Sequence, residues 1–192
     1  MSSTSATDGL GQHATLRVIL ISAAAALGGF LFGFDTAVIN GAVDAIRAHF
    51  GLNAGEIGIT VSCALLGSAV GAWYAGMLAN RFGRVRTMQV AAVLLVAAAA
   101  GSGLAMAVWD LVLWRLVGGI GVGVASVIAP TYIAEVAPAR IRGRLGSMQQ
   151  LAIVLGIFAA LLSDAWLAGA AGGAAEVLWL GLPAWRWMFL AA

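Results

Sequence analysis

Long apolar runs, separated by short polar or charged breaks, dominate the chain. Five of them, roughly Leu16–Ala42, Ile57–Ala79, Thr87–Trp109, Leu111–Val136 and Leu145–Trp166, are long enough to cross a bilayer, which takes about 20 largely apolar residues as a helix. A sixth run begins at Trp185 and reaches Ala192. The runs are too long, too rich in Ala and Leu, and too free of alternation to be membrane-barrel strands, so they predict α-helices. The breaks carry helix punctuation. Asn53 followed by Glu56 resembles a capping box opening the second helix. Asp110 is placed to cap the fourth, Pro138 to end it, and Gly143 to sit in the turn before the fifth. Pro130 inside the fourth run predicts a kink. The Gly/Ala stretch Ala168–Ala175 reads as a loose connector, and the small polar residues Met1–Thr15 as a disordered tail.

Composition sharpens this picture. The chain is 62% hydrophobic and 9% charged, against about 45–50% apolar and about 25% charged for a globular domain. No soluble core hides that much apolar surface, so lipid must cover most of it. A secretory leader is the competing reading of the start. Only Val18–Ile21 separate Arg17 from the small residues Ala23–Ala25, whereas a leader's apolar region needs about 7–15 residues. Cys63 is the one cysteine, inside an apolar run, which excludes an intrachain disulfide and paired-cysteine metal sites. Its reading is a small packed side chain.

All ten basic residues are Arg, and the net charge of +2 is spread over separate breaks, which is no nucleic-acid footprint. Arg81, Arg84 and Arg86 follow the second run, and Arg140, Arg142 and Arg144 the fourth. The break after the first run holds only Arg47, that after the third only Asp110, and Asp164–Pro183 carries acids alone. The positive-inside rule then places the tail and both Arg-rich breaks in the cytoplasm. Trp166, Trp179, Trp185 and Trp187 are expected at the outer interface, where amphipathic rings favour the headgroup level.

Two charges sit inside apolar runs, Asp35 in the first and Arg115 in the fourth. Each costs about 2.5–3.5 kcal/mol near a helix centre, and such residues usually face a bundle interior and pair. At about 1.5 Å per residue, Asp35 lies roughly 27 Å above Arg17 and Arg115 about 7–8 Å below the outer boundary at Asp110. The depths match, so the two can pair. The functional reading is a titratable switch in which protonating Asp35 frees Arg115; the alternative is a static structural pair. Gln149 and Gln150, near the cytoplasmic start of the fifth run, suit either polyol recognition or interhelical hydrogen bonding. Gly67 and Gly71, and Gly119, Gly121 and Gly123, recur at packing intervals. With no strand before it, Gly119-x-Gly121-x-Gly123 is no dinucleotide site.

Four segments, in order, resemble the sugar porter family of the major facilitator superfamily. They are Gly28–Ile39, Gly76–Arg84, Trp114–Gly123, and Tyr132–Pro138 with Arg140–Gly143. The resemblance implies an all-α integral membrane fold. Residues 16–192 would be its N-terminal bundle, five transmembrane helices and the start of a sixth, out of twelve in two halves. It implies a monosaccharide site at the midplane between the halves, with Gln150 on sugar hydroxyls and Phe32 and Ile153 lining the site. It implies that Asp35, with Arg115 as partner, matches the carboxylate of proton-coupled members. It implies that Arg81, Arg84, Glu135, Arg140 and Arg142 form a cytoplasmic network latching the outward-open state. Val85 stands where the family is often basic, with Arg86 close by, and Ile157 stands where some members carry a sugar-contacting Gln.

The leading expectation is thus a proton-coupled hexose or pentose symporter of the cell membrane, with the proton as coupling ion and no other cofactor. The partners would be sugar, lipid and a C-terminal six-helix half beyond Ala192. A facilitative uniporter and a truncated, non-transporting membrane protein are the alternatives. Enzymatic activity is the weakest, since His13 and His49 stand in the tail and a break with no nucleophile–base arrangement.

Overall fold

The computed structural model describes residues 26–192; the helix leading into them extends back to Thr4. The expectation of a disordered tail over Met1–Thr15 lies outside the described residues. Helices α1 (Thr4–Phe50), α2 (Ala54–Phe82), α3 (Arg84–Leu104), α4 (Val108–Val136) and α5 (Arg142–Ala171) precede a small hairpin and a short α6 (Ala184–Leu190). Five of these helices hold membrane-length apolar segments, the first counted over Ala26–Phe50. The hairpin pairs β1 (Val177–Trp179) with β2 (Leu182–Pro183) antiparallel.

The helix ends show what the local sequence decided. The Asn53 side chain accepts from the Gly55 and Glu56 amides at 2.9 and 3.0 Å, and Glu56 Oε2 accepts from the Asn53 amide at 2.9 Å. The predicted capping box is therefore complete. Other boundaries move. Asp110 is not the cap of α4, because the helix already starts at Val108; its carboxylate reaches back to the Met106 amide at 3.2 Å. Gly143 lies within the first turn of α5 rather than before it. Ala168–Ala171 continue α5, which stops where Gly172 turns left-handed at φ +83°. The joint between α2 and α3 is the single residue Gly83, at φ +87°. Its carbonyl accepts from the Thr87 amide and hydroxyl at 3.1 and 2.9 Å, so α3 begins without a loop. Pro130 is contained within α4.

Non-consecutive helices pack most extensively: α1 on α5, and α2 on α4, with α3 also against α4. Both main seams are close backbone approaches. In the α2–α4 seam a Cβ at Gly119 would meet the Ala64 carbonyl, and one at Gly123 the Ser68 carbonyl. In the α1–α5 seam a Cβ at Gly33 would meet the Ile153 carbonyl, and one at Gly156 the Phe30 carbonyl. Small residues thus replace the missing hydrophobic drive between helices in lipid with dense backbone packing. Apolar side chains that would be anomalous on a soluble protein, such as Trp73 and Val96, point outward.

Three of the four Trp residues gather in one place. Trp166, Trp179 and Trp187 cluster with ring centroids 6.0 and 5.6 Å apart and stay partly exposed. Trp185 instead is fully buried beside His49, Phe50 and Phe189. Asp164, counted above among the charges of an outer break, is a buried residue of α5.

Candidate functional site

The two intramembrane charges meet. Arg115 Nη1 of α4 donates to Asp35 Oδ1 of α1 at 3.3 Å, and the side chains are 4% and 11% exposed. That burial makes the pair expensive to separate, because either ion alone would be left charged and unsolvated. The contact is single rather than forked, and Arg115 Nε has no hydrogen-bond partner among the described residues. On its other side the guanidinium sits 5.5 Å from the ring centroid of Phe189 in α6. An aromatic face attracts a cation at this range, so Arg115 is held between a carboxylate and a ring. The sequence reading missed Phe189, whose place depends on α6 folding back against α1, α3 and α5.

A cavity of about 260 Å³ opens beside the pair between α1, α2 and α4. Phe32, Asp35 and Arg115 line it together with Thr36, Asn40 and Ser68. These last polar residues were also missed, although Asp35, Thr36 and Asn40 lie four to five residues apart or adjacent on one helix. The Thr36 hydroxyl donates to the Phe32 carbonyl at 2.6 Å, which leaves its oxygen free to accept.

The candidate sugar residues of α5 divide. Gln150 is exposed, whereas Gln149 is buried, with its Cγ against Gly29 of α1. Of the two roles left open for the glutamines, the seam between helices is where Gln149 lies. Ile153 is half-buried, with Cγ1 against Gly29, and Ile157 is exposed at 38%. Gln150, Ile153 and Ile157 follow a helical i, i+3, i+7 spacing, so they share one face of α5. They do not line the cavity around Asp35.

At the Arg-rich end, Arg84 of α3 grips Glu135 of α4. Nε donates to Oε1 and Oε2 at 3.2 and 3.3 Å, and Nη2 to Oε1 at 3.0 Å. Arg84 Nη1 also donates to Asn80 Oδ1 of α2 at 3.0 Å, so one guanidinium ties three helix ends. The other predicted members stand apart from this pair. Arg81 lies over the Phe82 ring at 5.5 Å, Arg142 donates to the Ala137 carbonyl at 3.4 Å, and Arg140 is exposed. Cys63 is packed as expected, with Sγ near the Thr60 and Val112 carbonyls at 3.0 and 3.5 Å.

A bundle of five membrane-length helices with a buried acid–base pair beside a largely apolar cavity defines a class, that of multi-pass membrane bundles with an internal charge pair, and comparison with known proteins narrows it. Residues 21–192 match the family model described as sugar (and other) transporter. A glucose transport protein of Synechocystis sp. is 63% identical over 173 residues, covering 90% of this chain and 37% of the relative. The D-xylose-proton symporter of Escherichia coli is 37% identical over 204 residues, covering 93% of this chain and 41% of the relative. Among solved structures, the proton:xylose symporter bound to 6-bromo-6-deoxy-D-glucose superposes with a TM-score of 0.83 at 35% identity, covering 92% of this chain and 42% of that one. The chain belongs to the sugar transporter family of the major facilitator superfamily. It is a multi-pass membrane protein that spans about two-fifths of the length of these relatives.

Proposed function

We propose that this bundle is the N-terminal half of a proton-coupled monosaccharide symporter of the cell membrane, with its N-terminus in the cytoplasm. The observation that carries the reading is the buried Asp35–Arg115 pair beside a cavity between helices, in a chain whose relatives include arabinose- and xylose-proton symporters. Glucose is the first substrate to test, because the relative with 63% identity is a glucose transport protein.

In this reading the proton is the coupling ion and no other cofactor is needed. Protonating Asp35 removes its negative charge and releases Arg115 toward Phe189, loosening α1 from α4. Sugar sits between this bundle and a second six-helix half, with Gln150 offering an amide to hydroxyls and Phe32, Ile153 and Ile157 forming the apolar wall. Gln149 stays between the helices. Arg84 and Glu135, with Arg81, Arg140 and Arg142 beside them, latch the cytoplasmic side while the transporter faces outward.

The test is Asp35→Asn in the full natural product. Exchange of labelled sugar should persist while accumulation against a gradient is lost; surviving uphill uptake would remove Asp35 from coupling. The competing reading is a facilitative uniporter with Asp35 structural, because that same relative is named for glucose transport alone. Sugar addition to energy-depleted cells should raise external pH for a symporter and leave it unchanged for a uniporter. Intact mass, read with an antibody against Met1–Thr15, fixes what is being assayed. A product above twice 19.5 kDa fits a two-half transporter, and one near 19.5 kDa fits a bundle that does not transport as a monomer.

A further inference from the structure

Among the described residues, the coupling mechanism above leaves one buried carboxyl unused. Asp164 of α5 is 3% exposed, and both carboxyl oxygens are sealed from solvent with no hydrogen-bond partner among the described residues. It lies where α5 crosses Gly41 of α1. A Cβ at Gly41 would come within 2.6 Å of Asp164 Cβ and Oδ2, so the carboxyl fills the space that a side chain on α1 would need.

Among the described residues, no cation answers it. The elements packed against α5 are α1, α4, α6 and β1. On α1 the described ionisable residues are Asp35, Asp44, Arg47 and His49, of which Asp35 is held by Arg115 and Arg47 donates to the Leu52 carbonyl at 3.4 Å. His49 is exposed and lies against the Phe50 and Trp185 rings. On α4 they are Asp110, Arg115 and Glu135, each engaged with the Met106 amide, Asp35 and Arg84 respectively. On α6 there is Arg186, which donates to the Ala105 carbonyl at 2.8 Å, and β1 has none. Arg142 and Arg144, on α5 itself, are roughly 30 Å away along the helix.

A second half of the transporter cannot supply the missing partner either, because this chain's own atoms already enclose both oxygens. An ionised carboxylate sealed from solvent with no cation beside it is among the costliest groups to bury. The neutral acid, by contrast, has an O–H to give to a neighbouring helix carbonyl.

We propose that Asp164 is a second proton-binding group of the bundle, occupied when α5 is closed on α1 at Gly41 and emptied only when that seam opens. The exchange moves one proton between the carboxyl and water and involves no other bond. It is distinct from the Asp35 site, since Gly41 lies six residues, about 9 Å, further along α1. It does not rest on sugar transport or on the coupling role of Asp35.

Infrared difference spectroscopy of the full product in lipid, titrated with pH, reads protonated carboxyls directly through their carbonyl stretch. A protonated-carboxyl band should be present at neutral pH, persist in Asp35→Asn, and be lost in Asp164→Asn. If Asp164→Asn leaves every band in place, the group is ionised and the proposal is overturned. Asp164→Glu guards against misfolding: it should move the band rather than erase it, and an unmoved band again overturns the assignment. Loss of accumulation in Asp35→Asn with the Asp164 band intact bears only on coupling, so the two readings fail separately.

Discussion

Two ion pairs of this molecule invert the ranking that distance alone would give. Arg84 and Glu135 meet at 3.0 Å through a forked contact, with side chains 27% and 45% exposed. Asp35 and Arg115 meet at 3.3 Å through a single contact, with side chains 11% and 4% exposed. The tighter pair is exposed near the helix ends; exposed pairs in water contribute about 0.2–1 kcal/mol, and fields in salt decay over about 8 Å. The looser pair stands where neither charge has another place to go. Burial rather than geometry decides which pair a change of protonation can use as a switch.

The sharpest way to break this contrast is Arg115→Ala, which strands Asp35. It should destabilise the bundle by about 3–5 kcal/mol, read as loss of folded protein in detergent melts, and Asp35→Asn should recover much of it. If Arg115→Ala melts like the unaltered protein, the pair is not the buried liability described. Gly119→Val comes next. A side chain there drives into the Ala64 carbonyl of α2, and overpacking of this kind costs about 1–3 kcal/mol. Because it acts by forcing α2 from α4, it should lower the melting temperature at low and high salt alike. Phe189→Leu removes the ring beside Arg115 while keeping apolar volume, with an expected loss of about 0.5–2 kcal/mol. Its effect should shrink when Arg115 is already replaced by Met, leaving only the packing lost against Trp185. The smallest effect belongs to Arg84 and Glu135. A double-mutant cycle with Gln at each position should give a coupling of about 0.2–1 kcal/mol that shrinks as salt rises. A salt-insensitive coupling would place that pair in a drier setting than its exposure implies.

How much of this was legible beforehand follows the range of the interaction. The Asn53–Glu56 box was readable because it is closed within one turn. The Asp35–Arg115 pair was readable because helix rise converts residue counts into depth, and depth matched. Helix starts set by neither a cap nor a proline were not readable, so Asp110 and Gly143 were misplaced by a few residues. Phe189 was hidden because its partner is 74 positions earlier (189 − 115) and only the fold of α6 brings them together. Asp164 was hidden for a different reason. An acid near the end of an apolar run looks like a surface charge until the packing of α1 over it is known. Gln149 and Gln150 are neighbours in sequence, yet a helix turns adjacent residues about 100° apart, and which of them is buried depends on where α1 lies.

The pairing of α1 with α5 and of α2 with α4 also sets a timetable for synthesis. Asp35 is made 80 residues before Arg115. At a ribosome speed of about 5–20 residues per second, that gap lasts roughly 4–16 s. The first helix therefore has to enter the membrane before its counter-charge exists and before α5 has been made to cover its glycine face.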